Sequence, residues 1–423
     1  MPDEFRHHAT DLEERGMSRT IIIGAGQAGG RCAMTLRSKG YQGRITLVGD
    51  ESLAPYRRPP LSKTVLLGGN TVEDGYFRPL ADYADKDIEV QLGRRISGVD
   101  VDRQSVRYED GASADFEHLV FATGATPRPL PVPGHDLTRV FLLRTAADSA
   151  SIKAELQPGR RIVIVGGGFI GLEVASSACQ LGCRVSVLEA QERVLGRSVP
   201  EQGAEAVVRT HREEGVEIRT GVSIAEFFGR EGVEGVALSD GERIEADAVI
   251  IGIGIVPNTR LAEDAGIEVS DGVITDEFGR SSVNNVYAAG DCARCYLPRY
   301  RRHVRLESFQ NADQQGMNTA STVAGTPAGY DPVPFVWSDQ YRRVLQTVGF
   351  PTEGDRHIQR GSMEDENLVL FSLEGSRLVG VTGWGKGLLI AKDVRLGQRM
   401  IQNDVHPAAE RLADPAIPIK DLF

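Results

Sequence analysis

The sequence predicts an α/β protein built from two Rossmann-like domains and a small α+β domain at its C-terminal end. Two observations predict the Rossmann-like domains: an apolar strand runs into a glycine-rich turn at residues 21 to 29, IIIGAGQAG, and again at residues 162 to 171, IVIVGGGFIG. A third observation predicts the last domain, because residues 367 to 373 and 377 to 382 have the alternation typical of antiparallel strands, and a helical stretch follows at 388 to 402.

The first glycine-rich turn lies inside a complete structural unit. A buried strand precedes it, a helix follows it, and a second strand then leads to an acidic residue. The first strand is residues 20 to 23, and the turn contains Gly24, Gly26 and Gly29. The helix is residues 27 to 38, the second strand is residues 44 to 48, and the acid is Asp50. In such a G-x-G-x-x-G turn the first glycine makes the tight bend, the second admits a pyrophosphate to the backbone, and the third lets the helix pack on the strand. The helix N-terminus then offers unpaired N–H groups and a positive dipole to the phosphates.

The second copy repeats every part of the first. Its first strand is residues 161 to 165, and its turn contains Gly166, Gly168 and Gly171. Its helix ends near residue 181, its second strand is residues 184 to 188, and its acid is Glu189. A single G-x-G-x-x-G is weak evidence because glycine turns are common. Two copies, each with its strands, helix and acid in place, predict that the chain binds two dinucleotides.

The acid of the second copy predicts which nicotinamide coenzyme is preferred. A carboxylate at the end of this strand accepts hydrogen bonds from a ribose 2′-OH and repels a 2′-phosphate, so Glu189 favours NADH over NADPH. Arg193, four residues later, either offsets this preference or is a solvated side chain at the start of a loop.

Composition and charge exclude several classes of function. The chain has 48 basic and 59 acidic residues and a net charge of −11, which argues against a nucleic-acid binder or an anionic-membrane binder. The longest apolar runs are interrupted by glycine and fall below the roughly 18 residues that span a bilayer. Residues 1 to 17 are charged and contain no apolar stretch, so we expect a disordered extension without a secretory signal. Five cysteines fit a reducing compartment, and we expect a cytoplasmic protein.

Three further motifs carry a resemblance to a known superfamily. They are Ala122-Thr-Gly124, Gly252-Ile-Gly254-Ile-Val-Pro257-Asn258 and Ala289-Gly-Asp291-Cys-Ala293. With the two glycine-rich units, their order and spacing resemble the FAD-dependent pyridine nucleotide-disulfide reductase superfamily. The resemblance implies a glutathione reductase-like fold in which the first unit binds FAD and the second binds the nicotinamide coenzyme. It also implies that Asp291 holds the ribityl chain of the flavin.

The cysteines discriminate among the chemistries of this superfamily. Residues 55 to 63, PYRRPPLSK, lack the redox pair that glutathione reductase-like enzymes carry there, and residues 125 to 160 contain no C-x-x-C. Cys292 and Cys295 form one C-x-x-C, but it overlaps the flavin motif, so we favour a structural role for it over a redox disulfide. Near the C-terminus, His406 precedes Pro407 in a segment faintly similar to the catalytic base of disulfide reductases. Without a thiol to deprotonate, the segment predicts the start of a helix with proline in its first turn. The cysteines and His303 do not complete a zinc site, so we expect no metal.

Four stretches resemble a narrower family. PPLSK at 59 to 63, IGLEVA at 170 to 175, RLESFQNADQQG at 305 to 316 and VWSDQY at 336 to 341 are similar to the NADH-dependent ferredoxin reductases of oxygenase systems. The resemblance covers roughly residues 18 to 343 and fades beyond. It implies that NADH reduces FAD and that single electrons pass to a 2Fe-2S ferredoxin, an acidic and transiently docked partner.

The same resemblance implies the residues of the site. Lys63, Glu173 and Trp337 are expected to act at the flavin. The other expected contacts with the two cofactors are Gly24, Gly26, Ala28, Gly29, Asp50, Ile96, Thr123, Gly124, Arg144, Gly166, Gly168, Gly171, Glu189, Gly254, Asp291 and Phe309. In the family the lysine lies under the flavin with the glutamate beside it, and such a buried pair costs far less than either ion alone. The alternative for Lys63 is a surface lysine after a proline turn.

Three further features have a functional and an ordinary interpretation. Ser308 is expected to cap a helix from residue 309 to about 322, whose positive end either points at the flavin or belongs to an ordinary surface helix. Trp337 is expected in a loop after a proline-containing linker, either near the flavin or in the core. Residues 383 to 387, GWGKG, predict a turn between hairpin and helix with a buried tryptophan.

Basic residues are concentrated directly after the flavin motif at residues 289 to 293 and on either side of Lys63 and Trp337. They either steer an acidic ferredoxin or form solvated faces. They are Arg294, Arg299, Arg301, Arg302 and Arg305, followed by Arg57, Arg58, Arg342 and Arg343.

The order of the motifs predicts a discontinuous FAD-binding domain, at residues 18 to 130 and 254 to 330, with a proline-rich crossover at 125 to 134. The NAD-binding domain is expected at 131 to 253 and the C-terminal domain at 331 to 423. Two other functions stay open. One is direct reduction of a small molecule, as in an oxidase, peroxidase or disulfide reductase. The other is a binding role, as in apoptosis-inducing-factor-like flavoproteins.

Overall fold

Runs of β-branched residues that end in glycine form the strands of two parallel sheets, as the sequence predicts. The structure is a computed structural model that describes residues 18–422; the predicted N-terminal extension, residues 1 to 17, lies outside the described residues. Within residues 18–422 the strands β1 to β26 are, in order, Arg19–Ile23, Arg44–Val48, Ile88–Gln91, Ile96–Asp100, Ser105–Tyr108, Ser113–Asp115, His118–Phe121, Ala125–Pro127, Val140–Leu142, Arg161–Val165, Arg184–Leu188, Glu217–Arg219, Ile224–Phe228, Gly235–Leu238, Arg243–Glu245, Ala248–Ile251, Ile255–Pro257, Val273–Thr275, Val286–Ala288, Ala293–Leu297, Arg302–Val304, Phe335–Gln340, Arg343–Gly349, Arg356–Arg360, Asn367–Glu374 and Arg377–Gly385.

The α-helices connect these strands. Across the same described residues, helices α1 to α9 are Gln27–Ser38, Leu80–Ala84, Ala146–Glu155, Phe169–Gln180, Glu201–Glu213, Arg260–Asp264, Phe309–Val323, Gly387–Gln402 and Ala409–Ala413. Short 3-10 helices lie at Pro59–Ser62, Glu73–Gly75, Pro298–Tyr300, Pro351–Glu353 and Ile419–Leu422. Among the described helices, none combines the length and apolar character needed to cross a membrane.

The chain divides into two units. Unit 1 contains the residues up to Arg57, Gly75–Thr126 and Val256–Asp331, and unit 2 contains Arg58–Asp74, Pro127–Ile255 and the chain from Pro332 onwards. The short strands β8 and β17 lie where the chain passes from one unit to the other.

Unit 1 is organised around a five-stranded parallel sheet in the order β19-β7-β1-β2-β3. Parallel strands are covered on both faces, which explains their nearly continuous apolar sequences. On one face the core includes Leu119 and Phe121, and on the other it includes Leu36 and Tyr83. Two three-stranded sheets, β4-β5-β6 and β18-β20-β21, complete the unit.

Unit 2 repeats this arrangement with the order β12-β11-β10-β16-β9. It also contains a three-stranded sheet, β13-β14-β15, and a five-stranded sheet of the C-terminal residues, β22-β23-β26-β25-β24, in which all paired strands are antiparallel. Residues from the second parallel sheet and from the C-terminal sheet share one core, in which Trp384 is fully buried. The predicted α/β class with a small α+β C-terminal part is therefore confirmed.

Most of the predicted elements are confirmed within a residue or two, but two predictions near the C-terminal sheet are wrong. Trp337 lies in β22 and not in a loop. Residues Gly383 to Gly385 continue β26 and do not form a turn, because they pair with both neighbouring strands. The burial of Trp384 is as predicted. The helix predicted at Pro407 begins at Ala409, so the proline precedes it.

Candidate functional site

The glycines of the first turn have two distinct roles. Gly24 has φ +112°, and a Cβ atom there would collide with the carbonyl oxygen of Ala122. A Cβ atom on Gly29 would collide with the carbonyl oxygen of Gly24. Gly26 differs, because a Cβ atom there would meet nothing within 4 Å. The polypeptide itself therefore requires the first and third glycines, whereas the second leaves open space beside the N-terminus of α1.

The second turn shows the same division. Gly166 has φ +104°, and the space for a Cβ atom is occupied at Gly166 and at Gly171 by backbone oxygens of Gly252 and Gly166. At Gly168 the nearest atom is the Gly252 oxygen, 3.9 Å away. Both turns thus leave room at the second glycine, in front of a helix N-terminus, where a pyrophosphate fits.

The acids that follow the two turns have different surroundings. Asp50 is exposed and its Oδ2 atom lies 3.2 Å from the guanidinium of Arg95. Glu189 accepts hydrogen bonds through both carboxylate oxygens, from the backbone N–H of Gly167 at 2.7 Å and of Gln191 at 2.8 Å. The carboxylate is thereby held against the glycine turn.

The Arg193 side chain is half-buried and is held by its own loop. Its guanidinium donates hydrogen bonds to the carbonyl oxygens of Val199 at 2.7 Å and Gly196 at 2.9 Å. Because these carbonyls already bind the guanidinium, its charge is turned towards its own loop. This observation favours the acid of Glu189 as the determinant of coenzyme preference.

The motif residues of unit 1 are connected by hydrogen bonds from side chains and from the backbone. The Thr123 hydroxyl donates to the carbonyl oxygen of Asn258 at 2.7 Å, and the Asn258 side chain donates to the Thr123 carbonyl at 2.9 Å. Gly124 has φ +66° and accepts from the Asn258 N–H at 2.9 Å. The structure therefore brings together Ala122-Thr-Gly124 and Pro257-Asn258, which lie far apart in the sequence.

A second set surrounds the Gly290-Asp291 turn. Gly290 donates its backbone N–H to the side-chain oxygen of Gln315 at 2.8 Å, and Gln315 is buried on α7. Gly290 also lies against Ala28 of the first glycine turn. At the start of α7, the Ser308 hydroxyl accepts from the Asn311 N–H at 3.1 Å, which confirms the predicted cap, and Phe309 is the first helical residue.

Three other predicted residues lie at or near the starts of elements. Ile96 begins β4 with its side chain buried in the core. Gly254 has φ +112° and precedes β17. The backbone of Arg144 donates to Asp148 at 3.0 Å, and its carbonyl oxygen accepts from Arg58 at 2.6 Å.

Lys63 and Glu173 form an ion pair within unit 2, with the ammonium nitrogen 2.8 Å from Oε1 of the carboxylate. Pro59 and Pro60 begin the 3-10 helix that ends beside Lys63, since proline is well suited to a first turn. Glu173 comes two residues after Gly171 on α4. The side chains are 13% and 3% exposed, so Lys63 is not an ordinary surface lysine.

Two further donors to Glu173 were missed in the sequence. The hydroxyl of Ser62 donates to its Oε2, and the hydroxyl of Ser338 donates to its Oε1 at 2.7 Å. Because Trp337 lies on a strand, its side chain and that of Ser338 point to opposite faces. Trp337 stacks on Phe335, with ring centroids 6.1 Å apart. An assignment of VWSDQY to a strand would have revealed Ser338 and Gln340 as partners on one face.

The cysteines of the C-x-x-C are free and buried. The Cys292 thiol donates to the carbonyl oxygen of Phe121, and the Cys295 thiol to that of Asp276 at 3.2 Å. Desolvation by burial raises the pKa of Cys292 and raises that of Cys295 to about 12. Neither environment favours the thiolate that redox chemistry needs.

Some of the predicted basic residues are neutralised locally. Arg299 pairs with Asp331 at 3.3 Å, and Arg305 lies 3.2 Å from Asp271 and 2.7 Å from Glu307. Arg343 lies 3.6 Å from Glu366. Arg301 and Arg302 are exposed. The predicted steering charge is therefore smaller than the residue count suggests.

Comparison with known proteins agrees with this geometry. Residues 18–316 match the pyridine nucleotide-disulphide oxidoreductase family, and residues 335–423 match the reductase C-terminal family. The chain is 38% identical to rhodocoxin reductase of Rhodococcus erythropolis, over 95% of this chain and 93% of that protein. It is 36% identical to putidaredoxin reductase of Pseudomonas putida, over 95% of this chain and 96% of that protein.

A solved structure shows the same fold along the chain. The covalent putidaredoxin reductase–putidaredoxin complex matches with a TM-score of 0.92 and 36% identity, covering 96% of this chain and 98% of the matched chain. The two family matches, the similar reductases and the matching structure lead to one conclusion. The chain belongs to the pyridine nucleotide-disulphide oxidoreductase family, among the members that resemble the ferredoxin reductases of oxygenase systems.

Proposed function

We propose that this protein is a flavoprotein reductase that transfers electrons from NADH, through bound FAD, to a 2Fe-2S ferredoxin that supplies an oxygenase. The observation that carries the proposal is the similarity, over nearly the full length and in both families, to ferredoxin reductases such as the p-cumate 2,3-dioxygenase reductase component of Pseudomonas putida, at 36% identity. When bound, FAD accepts a hydride from NADH and releases the electrons singly.

The residues of unit 1 would hold FAD. The open space at Gly26, the N-terminus of α1 and the adjoining Ala28 would receive the pyrophosphate, and Asp50 would accept hydrogen bonds from the adenosine ribose. Further residues proposed to contact the flavin nucleotide are Ile96, Thr123, Gly124, Asp291, Phe309, Lys63, Arg144, Gly254 and Trp337.

The glycine turn and acid of unit 2 would hold NADH. Gly166 and Gly171 shape the turn, Gly168 leaves the space, and Glu189, whose carboxylate accepts from the Gly167 N–H, would accept from a ribose hydroxyl. A carboxylate fixed at that position repels a 2′-phosphate, which is the reason to propose NADH and not NADPH.

Lys63 and Glu173 would act at the redox site. The glutamate holds the lysine ammonium through the 2.8 Å contact, and a fixed positive charge stabilises negative charge that develops nearby. We propose that Trp337, whose side chain points to the face of β22 opposite to Ser338, contributes an aromatic surface at the flavin.

Stopped-flow spectroscopy of the purified holoprotein tests the function. We expect rapid bleaching of the flavin by NADH, slower bleaching by NADPH, and fast reoxidation by a 2Fe-2S ferredoxin but slow reoxidation by oxygen or thiol substrates. Fast reoxidation by oxygen, peroxide or a disulfide would contradict the proposal.

Two cysteine variants provide a second test. Cys292→Ser and Cys295→Ser should keep their flavin and their ferredoxin turnover, because both thiols are buried and free and donate to backbone carbonyl oxygens, so neither takes part in a disulfide. Loss of turnover at full flavin content would indicate thiol chemistry.

We further propose a cytoplasmic location, which the five free thiols favour because that compartment is reducing. Cell fractionation with antibody detection tests this proposal, and recovery of the protein from an oxidising compartment would contradict it.

A further inference from the structure

A chain of buried polar side chains leads to Glu173 from β22 and α5 of unit 2. Beginning at Glu173, it passes through Ser338, Gln340 and His211 and ends at Tyr341. Ser338 and His211 are 0% exposed and Gln340 is 1% exposed. Burying so many polar groups is costly unless each is hydrogen-bonded, so the bonds between them are a strong structural constraint.

The four links of this chain all have good hydrogen-bond lengths. Ser338 Oγ lies 2.7 Å from Glu173 Oε1, and Gln340 Nε2 lies 2.9 Å from Ser338 Oγ. His211 Nε2 lies 2.8 Å from Gln340 Oε1, and Tyr341 Oη lies 3.1 Å from His211 Nδ1. The two rings at the far end meet edge to face, with centroids 5.1 Å apart.

The carboxylate end determines the direction of every link. An ionised carboxylate only accepts, so Ser338 donates to Glu173 and its oxygen is left to accept from the Gln340 amide. The carbonyl oxygen of Gln340 then faces His211 and accepts from its Nε2–H. The Nδ1 atom of a neutral His211 is left as an acceptor for the Tyr341 hydroxyl. Each donor thus points towards Glu173.

His211 has the charge state that this direction needs. Desolvation by burial, the larger effect, lowers the pKa of His211 to about 4, although the hydrogen bond with Gln340 opposes the shift. The imidazole is therefore neutral near pH 7 and carries one proton, which the chain assigns to Nε2. Because an amide does not readily relay protons, Gln340 suits a positioning chain and not a proton pathway.

We propose that Ser338, Gln340 and His211 are positioning residues that hold the Glu173 carboxylate, and through it the Lys63 ammonium, in one orientation at the redox site. The inference rests on the proposed function for its catalytic consequence, but the chain itself is a property of the folded protein. Three donors converge on Glu173, from Lys63, Ser62 and Ser338. Removing the chain leaves Ser62 and Lys63 as the remaining donors, so the orientation of the carboxylate and of the ammonium is less restricted.

Nitrogen NMR of histidine-labelled holoprotein tests the connection without any turnover. We expect the neutral Nε2–H tautomer for His211, with its resonances assigned from their loss in His211→Gln. Glu173→Gln introduces a side-chain donor at the far end, so it should change the His211 tautomer ratio across three intervening links. A wild-type Nδ1–H tautomer, or His211 resonances unaffected by Glu173→Gln, would overturn the proposal.

Reduction kinetics test the positioning role. In Gln340→Leu the limiting rate of flavin reduction by NADH should fall about tenfold, while the apparent NADH dissociation constant changes less than about twofold. In a Glu173→Gln background the same substitution should have little further effect, because its action passes through the carboxylate. Additive effects would indicate general damage to packing and would contradict the inference.

Thr210→Val is the matched control. Thr210 precedes His211 on α5, is 0% exposed, and accepts from Trp384 Nε1 at 3.3 Å, so its loss also removes a buried hydrogen bond, but outside the chain. We expect wild-type reduction rates and wild-type His211 resonances in this variant. If the wild-type protein is not reduced by NADH, the proposed function fails, and the NMR result still decides whether the chain exists.

Discussion

The Glu189 carboxylate is the residue on which coenzyme preference should depend. It is fixed by the N–H groups of Gly167 and Gln191 and faces the turn where the adenosine ribose is expected. Glu189→Ala should lower the NADH-to-NADPH ratio of kcat/KM by about tenfold, because it removes both the acceptor for the 2′-OH and the charge that repels a 2′-phosphate.

Steady-state kinetics with the two coenzymes measure this ratio. Glu192→Ala is the control, since Glu192 is an exposed carboxylate in the same loop. An unchanged ratio in Glu189→Ala, or an equal fall in Glu192→Ala, would show that selectivity arises elsewhere.

The ion pair of Lys63 and Glu173 makes a prediction about stability. Lys63→Met leaves a carboxylate that is 3% exposed without its counter-ion, so the free energy of unfolding should fall by about 3 kcal/mol. The double variant Lys63→Met, Glu173→Gln removes both charges and should recover most of the loss. Denaturant unfolding measures the differences, and equal destabilisation of the single and double variants would contradict this account.

His211 predicts a dependence of stability on pH. Its pKa is about 4 in the folded protein and about 6.5 when unfolded, so below pH 6.5 the unfolded state binds a proton that the folded state does not. Stability is therefore lost as the pH falls from about 6.5 to about 4, and between pH 7 and pH 5 the loss from this group is about 2 kcal/mol.

Unfolding at pH 7 and pH 5 checks the sign of this effect. His211→Gln should lose less stability over that interval than the wild-type protein does. Thr210→Val, which changes a neighbouring buried group that does not titrate, should lose as much as wild type. A variant at position 211 with the wild-type pH dependence would refute the assignment.

At the scale of elements, the cap of α7 offers the clearest test. The Ser308 hydroxyl satisfies the Asn311 N–H, so Ser308→Ala should lower the free energy of unfolding by about 1 kcal/mol. Ser308→Asp keeps a side-chain acceptor and adds a charge that the helix dipole favours, so it should retain wild-type stability. Equal melting temperatures for Ser308→Ala and the wild type would show that the cap contributes nothing.

The elements that the sequence predicted well are those with local causes. The strand–turn–helix units around Gly24 and Gly166 depend on apolar periodicity and on glycine geometry within about 30 residues. The strand at Trp337 was missed because Pro332 and Pro334 indicate a linker and the pairing partner, β23, is recognised only in the folded sheet. The continuation of β26 through Gly383 to Gly385 was missed for the same reason. Glycines favour a turn in the sequence, and their pairing with two neighbouring strands is recognised only in the folded sheet.

At the scale of the whole molecule, the sequence had no means of showing the full site around Glu173. Ser62, Lys63 and Ser338 lie more than a hundred positions from it and meet it only through tertiary packing. The resemblance to ferredoxin reductases supplied the lysine and the glutamate. The two serines and the chain beyond Ser338 are recognised as partners of Glu173 only in the folded protein.

The KM for ferredoxin is expected to depend on ionic strength. If exposed arginines of the segment 294 to 305 steer an acidic partner to a protein of net charge −11, the KM for ferredoxin should rise about fivefold between low and physiological ionic strength. Arg301→Glu should raise the KM at low salt and weaken its salt dependence. Arg260→Glu, at an exposed arginine outside the segment, is the control.

Reduction of ferredoxin measured across a salt series distinguishes the outcomes. The rate of flavin reduction by NADH should stay constant in both variants, since it does not involve the ferredoxin. A salt-independent KM, or the same change in both variants, would show that the segment is simply solvated.

The empty space at Gly26 and Gly168 has an evolutionary consequence. A methyl group at either position collides with no atom of the polypeptide, so alanine there costs folding only the weaker N-cap, whereas alanine at the flanking glycines collides with the backbone. Natural selection against bulk at these two codons therefore acts mainly through the coenzyme. A descendant that abandoned either nucleotide would be free to replace the middle glycine of that turn while its neighbours stayed unchanged.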